Sequence, residues 1–352
     1  VRPASAAPSP DSTLGRGTLY TDRGFGSDAW GGPFDLLFNK GFAVAQWENR
    51  NRRIFDHDYG WGVVASSVRD PAGAVERAGG WREVLLVQAL PFYWGGTRNP
   101  QWVTNWFGHV FEGGLAYRRL REWNEARGVP FAGWSAALVT MLAGAVNEAY
   151  ETPPPPPGEP VLGNAGIVMD LLFFDPLGIA LFSSDRVARV VHEAGVTLWP
   201  SQGSLVLNTG QLQNNGQSVV FKIPLPRTRH EFFLRTGVGV EAGLSWNRRD
   251  GWDVSASLGM QSFTRHLDPG TWYESAEFSL AAGLWLDHDD VLAASLTVDQ
   301  RTDRRVALNL FPGMLRLRGM GIGAWVLVDA AGRPYLGVTG SSFAGLGLGL
   351  GF

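Results

Sequence analysis

The sequence predicts a two-part fold: an α-helical N-terminal domain, then an antiparallel, up-and-down transmembrane β-barrel of about ten strands. Three observations predict it. The hydrophobic period is three to four residues before about residue 200 and two residues after it. In the second half, large apolar side chains alternate with Gly, Ser and Ala rather than with Lys, Glu or Thr. The chain closes on AGLGLGLGF, in which leucine alternates with glycine up to a final aromatic.

Residues 1–30 read as a flexible segment. Its VRPASAAPSPDS start suits either the stretch behind a removed export signal or an ordinary terminus. Residues 31–200 are assigned to a helical, membrane-associated domain. GGWREVLLVQALPF (79–92) and the stretch 102–127 carry apolar residues at helical spacing. WSAALVTMLAGAVNEAY (134–150) is apolar on most sides and predicts a helix buried all round. Gly128-Val129-Pro130 separates the last two, so they are expected to form an antiparallel hairpin. Five prolines, Pro153–Pro157, cannot continue a helix and favour a stiff spacer. Shorter helical pieces are expected at 164–182 and 186–193. The apolar runs fall short of the roughly 18 to 20 residues of an uninterrupted spanning helix.

Residues 201–352 are assigned to the barrel. Candidate strands are 203–212, 217–224, 229–247, 251–264, 272–286, 291–300, 304–311, 315–328, 333–340 and 344–352. Turn chemistry separates them at Asn214-Asn215-Gly216, Arg249-Asp250-Gly251, Asp268-Pro269-Gly270, Pro312-Gly313 and Ala331-Gly332. In 229–247 one face is Val238, Val240, Ala242, Leu244 and Trp246, and the other Gly237, Gly239, Glu241, Gly243 and Ser245. A soluble sandwich would set charged and polar side chains against water on its second face. A lipid-embedded barrel inverts this arrangement, with apolar residues outside and small or polar ones within. Aromatics near strand ends (Trp246, Trp252, Trp272, Tyr273, Phe311, Tyr335, Phe352) fit interfacial girdles. Inward Trp285 and Trp325 would obstruct so narrow a barrel, which argues against a general porin.

Composition removes several classes of function. A net charge of -3 gives no reason to expect a nucleic-acid partner. The chain has no cysteine, hence no disulfide framework and no thiol nucleophile. No His-Glu-x-x-His, nucleophile elbow, phosphate-cradling glycine loop or dinucleotide fingerprint occurs. No cofactor is expected.

The helical half carries the candidate chemistry. His109, Glu112, Gly113 and Tyr117 share one stripe at helical spacing, and Glu148 ends a stripe of the following helix that includes Gly144. An antiparallel hairpin brings Glu148 level with His109. Structural pairing, a general acid–base pair and a partial metal site are the three meanings of such an arrangement, and structural pairing ranks first. His109, Glu112 and Glu148 are the candidate catalytic residues, and no metal is assigned. Asp56-His57-Asp58 and Asp287-His288-Asp289-Asp290 read as a polar loop and a hairpin turn.

The segments WFGHVFEGGLAYRRLREWNEARGVPFAGW, AGAVNEAYE and GNAGIVMDLLFFDPLGIAL resemble an uncharacterised family of bacterial outer-membrane-associated proteins. In that family a His/Gly/Tyr helix, a helix ending in an acid and an Asp-containing segment running into Pro and Gly precede a barrel. The matching residues are His109, Gly113, Tyr117, Glu148, Asp170, Pro176 and Gly178, and the proline run after Glu151 departs from the pattern. The resemblance implies a fold and a bacterial outer-membrane location, with the helical domain on the periplasmic side, but no activity.

Three functions fit. The first is a structural envelope role, in which the barrel anchors a helical domain that contacts outer-membrane lipid or an envelope protein complex. The second is an enzyme acting on lipid or lipopolysaccharide through His109, Glu112 and Glu148. The third is a narrow channel lined by Glu241, Asp253, Glu277 and Asp299. Tyr117, Asp170 and Glu241 are the candidate binding residues.

Overall fold

The structure, a computed structural model, describes residues 18–44, 53–90, 101–152, 160–248, 250–267, 274–301, 304–341 and 345–352, with backbone alone at 262–267 and 274–277. Residues 1–17, the proline run Pro153–Pro157, the Asp268-Pro269-Gly270 turn, Trp272, Tyr273 and the Glu277 side chain lie outside that description. The fold is a helical N-terminal region followed by a large sheet of mostly antiparallel strands.

The helical region begins with α1 (Gly26–Trp30) and α2 (Pro33–Leu36), which runs into a π-helical turn, π1 (Leu37–Gly41). Helices α3 (Asp58–Arg69), α4 (Pro71–Arg77) and α5 (Trp81–Gln88) follow. A long π-helical stretch, π2 (Thr104–Glu112), continues into α6 (Gly113–Ala126), and α7 (Ala132–Glu151) returns beside it. The turn between them uses Gly128 at φ +65°, a left-handed conformation that costs glycine little. Then come α8 (Ala165–Met169), π3 (Asp170–Phe174), α9 (Asp175–Phe182) and α10 (Asp185–Glu193). Leu115, Ala116, Tyr117 and Leu120 of α6 pack on Ala136 and Ala143 of α7, with Phe182 and the sheet residues Leu198 and Val219 closing the cluster. Helix α7 is not buried all round: Trp134 and Leu138 stand 80% and 72% exposed. The continuous helix Ala165–Phe182 is long and apolar enough to cross a membrane, with a mean hydropathy of 1.8. Asp170 and Asp175 inside it are buried against other helices, so we read it as a core helix.

The N-terminal segment is part of the fold from residue 18 onward. Glu122 of α6 accepts hydrogen bonds from the backbone N–H groups of Leu19 and Tyr20 at 2.7 and 2.9 Å. Trp30 is fully buried among Trp199, Phe233, Trp285 and Phe311 of the sheet.

Thirteen strands lie among the described residues: β1 (Val196–Pro200), β2 (Ser204–Val206), β3 (Gln211–Gln213), β4 (Gln217–Pro224), β5 (His230–Thr236), β6 (Gly239–Asn247), β7 (Trp252–Leu267), β8 (Glu274–His288), β9 (Val291–Asp299), β10 (Val306–Leu317), β11 (Met320–Val328), β12 (Pro334–Gly340) and β13 (Gly347–Gly351). Their order in the sheet is β1-β4-β5-β6-β7-β8-β9-β10-β11-β12-β13-β2-β3, and the β13–β2 pair is parallel. The count exceeds ten for identifiable reasons. Strand β1 lies wholly inside the span assigned to helices. The expected strand 229–247 folds back at Gly237, whose N–H bonds to the Gly239 carbonyl. The expected strand 203–212 divides into β2 and β3, which brings the count to thirteen. One turn moves without changing the count: β10 passes through Pro312-Gly313 with a bulge between Leu310 and Leu315. The reversal comes at Arg318 and Gly319, both at positive φ, as a two-residue hairpin turn requires.

Burial alternates along most of the strands, with runs of buried residues at the starts of β4 and β9. Glu241, Ser245, Asp253, Ser255, Ser257, Gln261, Asp287, Ser295 and Asn309 are buried. Their apolar neighbours are exposed, Leu258 at 66% and Leu280 at 58% among them. Two expected girdle aromatics, Phe311 and Tyr335, turn to the buried face instead. Trp285 and Trp325 lie there too, as their strand parity predicts.

Candidate functional site

Three helical segments deliver polar side chains to one buried point. His109 comes from π2, Glu148 from the last turns of α7 and Asp170 from the first residue of π3. His109 Nε2 stands 4.0 Å from Glu148 Oε1 and 3.9 Å from Asp170 Oδ1. On its other side, His109 Nδ1 lies 3.2 Å from Asp175 Oδ1, which Lys40 of π1 also reaches at 3.3 Å. All five residues are buried. Each π-helical segment thus supplies one member, and such segments recur at functional sites.

The π geometry explains the convergence. A π turn closes its hydrogen bond over five residues, so positions five apart come to share a face. That spacing turns both Asp170 and Asp175 toward His109. The polypeptide permits the close approach through glycines. A Cβ at Gly144 would stand 2.1 Å from Asp175 Oδ2, and one at Gly178 would stand 2.7 Å from the Val110 carbonyl oxygen.

Burial and charge pull these groups in different directions. Burial lowers the His109 pKa, but the Asp170 and Asp175 carboxylates outweigh it and carry the value up to about 10. Burial raises the Asp170 carboxyl to about 6 against the pull of His109. Glu148 is driven well above the usual carboxylate range by burial and by the Asp170 charge. Asp175 is held low: burial opposes its charge, and Lys40 and His109 prevail.

The other residues singled out by the sequence lie elsewhere. Glu112 follows His109 within π2, and both His109 and Lys40 are near enough to act on its carboxyl. Glu112 meets Gln217 of β4, and burial raises its carboxyl to about 7 against that hydrogen bond. Tyr117 sits in the apolar α6–α7 core. Glu241 is tied into the sheet interior, accepting from Arg235 at 2.6 Å, Ser257 at 2.8 Å and Gln261 at 2.6 Å.

A second acidic group lies on the sheet. Asp253, Asp287 and Asp290 surround Lys222 Nζ at 3.1, 2.5 and 3.3 Å. The Asp287–Asp290 run is therefore more than a hairpin turn: Asp289 and Asp290 make the turn at positive φ, while Asp287 points into the buried face. Sequence reasoning missed Lys222, Lys40 and Asp175. The five-residue spacing of Asp170 and Asp175 in an apolar helix was the available signal for one of them.

Comparison of the chain with protein families, curated proteins and solved structures finds no match in any of the three.

Proposed function

We propose that this chain is an integral outer-membrane β-barrel whose barrel anchors the helical region at the membrane, in a structural role within the cell envelope. The observation that carries the reading is the inverted burial of the sheet, with carboxylates, serines and glycines inside and Leu, Val and Met outside. Water would make that surface an aggregation liability, whereas hydrocarbon is its natural solvent. Strand register supports closure of the sheet. One antiparallel register runs unbroken from Val196↔Phe221 through Pro200↔Gln217 to Ser204↔Gln213 and Val206↔Gln211. A hydrogen bond from Ser201 N–H to the Gly216 carbonyl bridges the interruption. Strands β1 and β2 are then one strand, and β3 and β4 its hairpin partner, which reduces thirteen segments to eleven. The joined first strand also pairs with β13, in parallel, which is how a meander of odd count closes on itself. Lipid contact would extend to the exposed side of α7, where Trp134, Leu138 and Leu142 stand clear of the protein.

The reading is tested with the full chain purified in detergent. It requires an amphiphile to stay monodisperse, migration on gels that changes on boiling, and flotation with lipid vesicles. A chain that is monodisperse in plain buffer and ignores vesicles overturns it.

The second reading, an envelope enzyme acting on lipid or lipopolysaccharide, draws on the buried His109–Glu148–Asp170 group. It predicts that His109→Ala alters the lipid profile of the cell while leaving the barrel folded. An unchanged profile counts against it.

A further inference from the structure

We infer that His109, Glu148 and Asp170 bind one divalent first-row transition cation, of the chemical class of Zn2+ or Mn2+. The inference stands on the helical region and is independent of the membrane reading. His109 Nε2, Glu148 Oε1 and Asp170 Oδ1 all lie within 4.8 Å of one another. Two metal–ligand bonds of about 2.0 to 2.2 Å at a tetrahedral angle span about 3.4 Å, so one ion reaches all three atoms if the two carboxylates move in toward the imidazole, from 4.0 and 3.9 Å.

Unpartnered groups point to the ligand. Glu148 Oε1 and Asp170 Oδ1 are buried and accept no hydrogen bond, and leaving carboxylate oxygens so is costly. Both are directed at Nε2 from a distance too long for hydrogen bonding. The other side of the ring matches the usual support of a metal-bound histidine. With a metal in place of the Nε2 proton, the hydrogen on Nδ1 would still donate to Asp175 while Nε2 faces the two carboxylates. Lys40 in turn holds Asp175.

Charge balance agrees. Three carboxylates, the Lys40 ammonium, a neutral imidazole and a dication sum to zero, which suits a site excluded from water. The sheet offers an internal contrast. Its Asp253–Asp287–Asp290 group is equally compact, but the Lys222 ammonium sits among its oxygens as the counter-charge. In the helical group the place between the two carboxylates is held by His109 Nε2 alone, with no lysine or arginine nitrogen there among the described residues. An imidazole nitrogen with two carboxylates suits zinc, manganese or iron(II) better than calcium, which prefers oxygen alone.

The test uses the full chain in detergent, stripped with a chelator and dialysed against Zn2+ or Mn2+. One equivalent of cation per chain is expected, lost in Glu148→Gln and in Asp170→Asn and retained in Asp253→Asn. Asp175→Asn is expected to weaken binding by roughly 10- to 100-fold, as supporting partners of metal ligands do. Wild-type chain that retains no cation, or variants that retain as much as wild type, overturns the inference. Should the variants not fold, Co2+ on the wild-type chain decides. An X-ray absorption spectrum with one imidazole nitrogen in an oxygen-rich shell supports the site, and an ion bound by water alone, or no bound ion, overturns it.

Discussion

Trp325 covers Gly337 so closely that a Cβ at 337 would stand 2.1 Å from the indole Cε2. The same ring lies over Gly349, at 2.9 Å, and Trp285 lies over Gly283 in the same way, at 2.6 Å. The glycines of the C-terminal alternation are therefore partly explained by two inward indoles. These are fixed by hydrogen bonds from Trp325 to Ser204 at 2.8 Å and from Trp285 to Ser257 at 2.9 Å. An aromatic ring held in this way cannot yield like the end of a flexible chain. Gly337→Ala is expected to destabilise the sheet by about 1 to 3 kcal/mol, the usual cost of overpacking. Denaturant unfolding in detergent measures it, and Trp325→Ala in the same chain should recover part of the loss introduced by the alanine.

The exposed face makes the opposite kind of prediction. Leu258 lies between Ala242 of β6 and Ala282 of β8, well inside the sheet, and is 66% exposed. In a bilayer, Leu258→Arg should cost about 2 to 4 kcal/mol, the penalty of a cation near the midplane of a membrane barrel. In water the same substitution at so exposed a position would be close to neutral. Urea unfolding of vesicle-inserted protein distinguishes the two environments, and a neutral result would remove the main support for lipid contact.

Glu112 gives the protein a predictable pH response. Its carboxyl is raised from the ordinary value of 4.5 to about 7 in the folded chain, chiefly by burial. Between those values the folded state binds more protons than the unfolded state, so this group's contribution to stability falls as pH rises from about 4.5 through 7. Glu112→Gln removes the effect. The variant should have a flatter stability profile across that window and exceed the parent above pH 7. Thermal unfolding in detergent at pH 5, 6, 7 and 8 checks the crossing, and parallel profiles for the two chains would contradict it.

Much of the fold was legible because it rests on local periodicity. The change of period near residue 200, the α6–α7 hairpin at Gly128 and the inward parity of Trp285 and Trp325 all follow from spacing within one or two strands or helices. The meeting of His109 with Glu148 follows from the hairpin alone. What spacing could not yield depended on local departures from regular geometry. Asp175 joins Asp170 through the wider turn of π3, which an α-helical count does not anticipate. Lys40 is 69 positions before His109 in the chain, and no pattern near it marks the ion pair. Strand β1 spans only five residues and ends on a proline, too short for its alternation to stand out. Phe311 and Tyr335 were placed by their nearness to strand ends, whereas strand parity decides the face and sends both inward.

Lys222 is the member of the sheet whose loss should be felt most. Its ammonium is buried and hydrogen-bonded to Asp253 and Asp287, both buried on neighbouring strands, with Asp290 at the rim. Removing the cation leaves two carboxylates without their counter-charge in a site closed to water, and breaking such a group from one side costs about 3 to 5 kcal/mol. Lys222→Met keeps an unbranched side chain one atom shorter and removes the ammonium, so loss of packing is small beside loss of the charge. Adding Asp253→Asn and Asp287→Asn to Lys222→Met removes the stranded charges as well, and should restore a large part of the stability. The neighbouring indole of Trp199, centred 5.6 Å from Lys222 Nζ, provides a fluorescence signal for the unfolding midpoint of each variant. A single variant as stable as the parent, or a triple variant no better than the single, would mean that the ammonium does not hold these strands together.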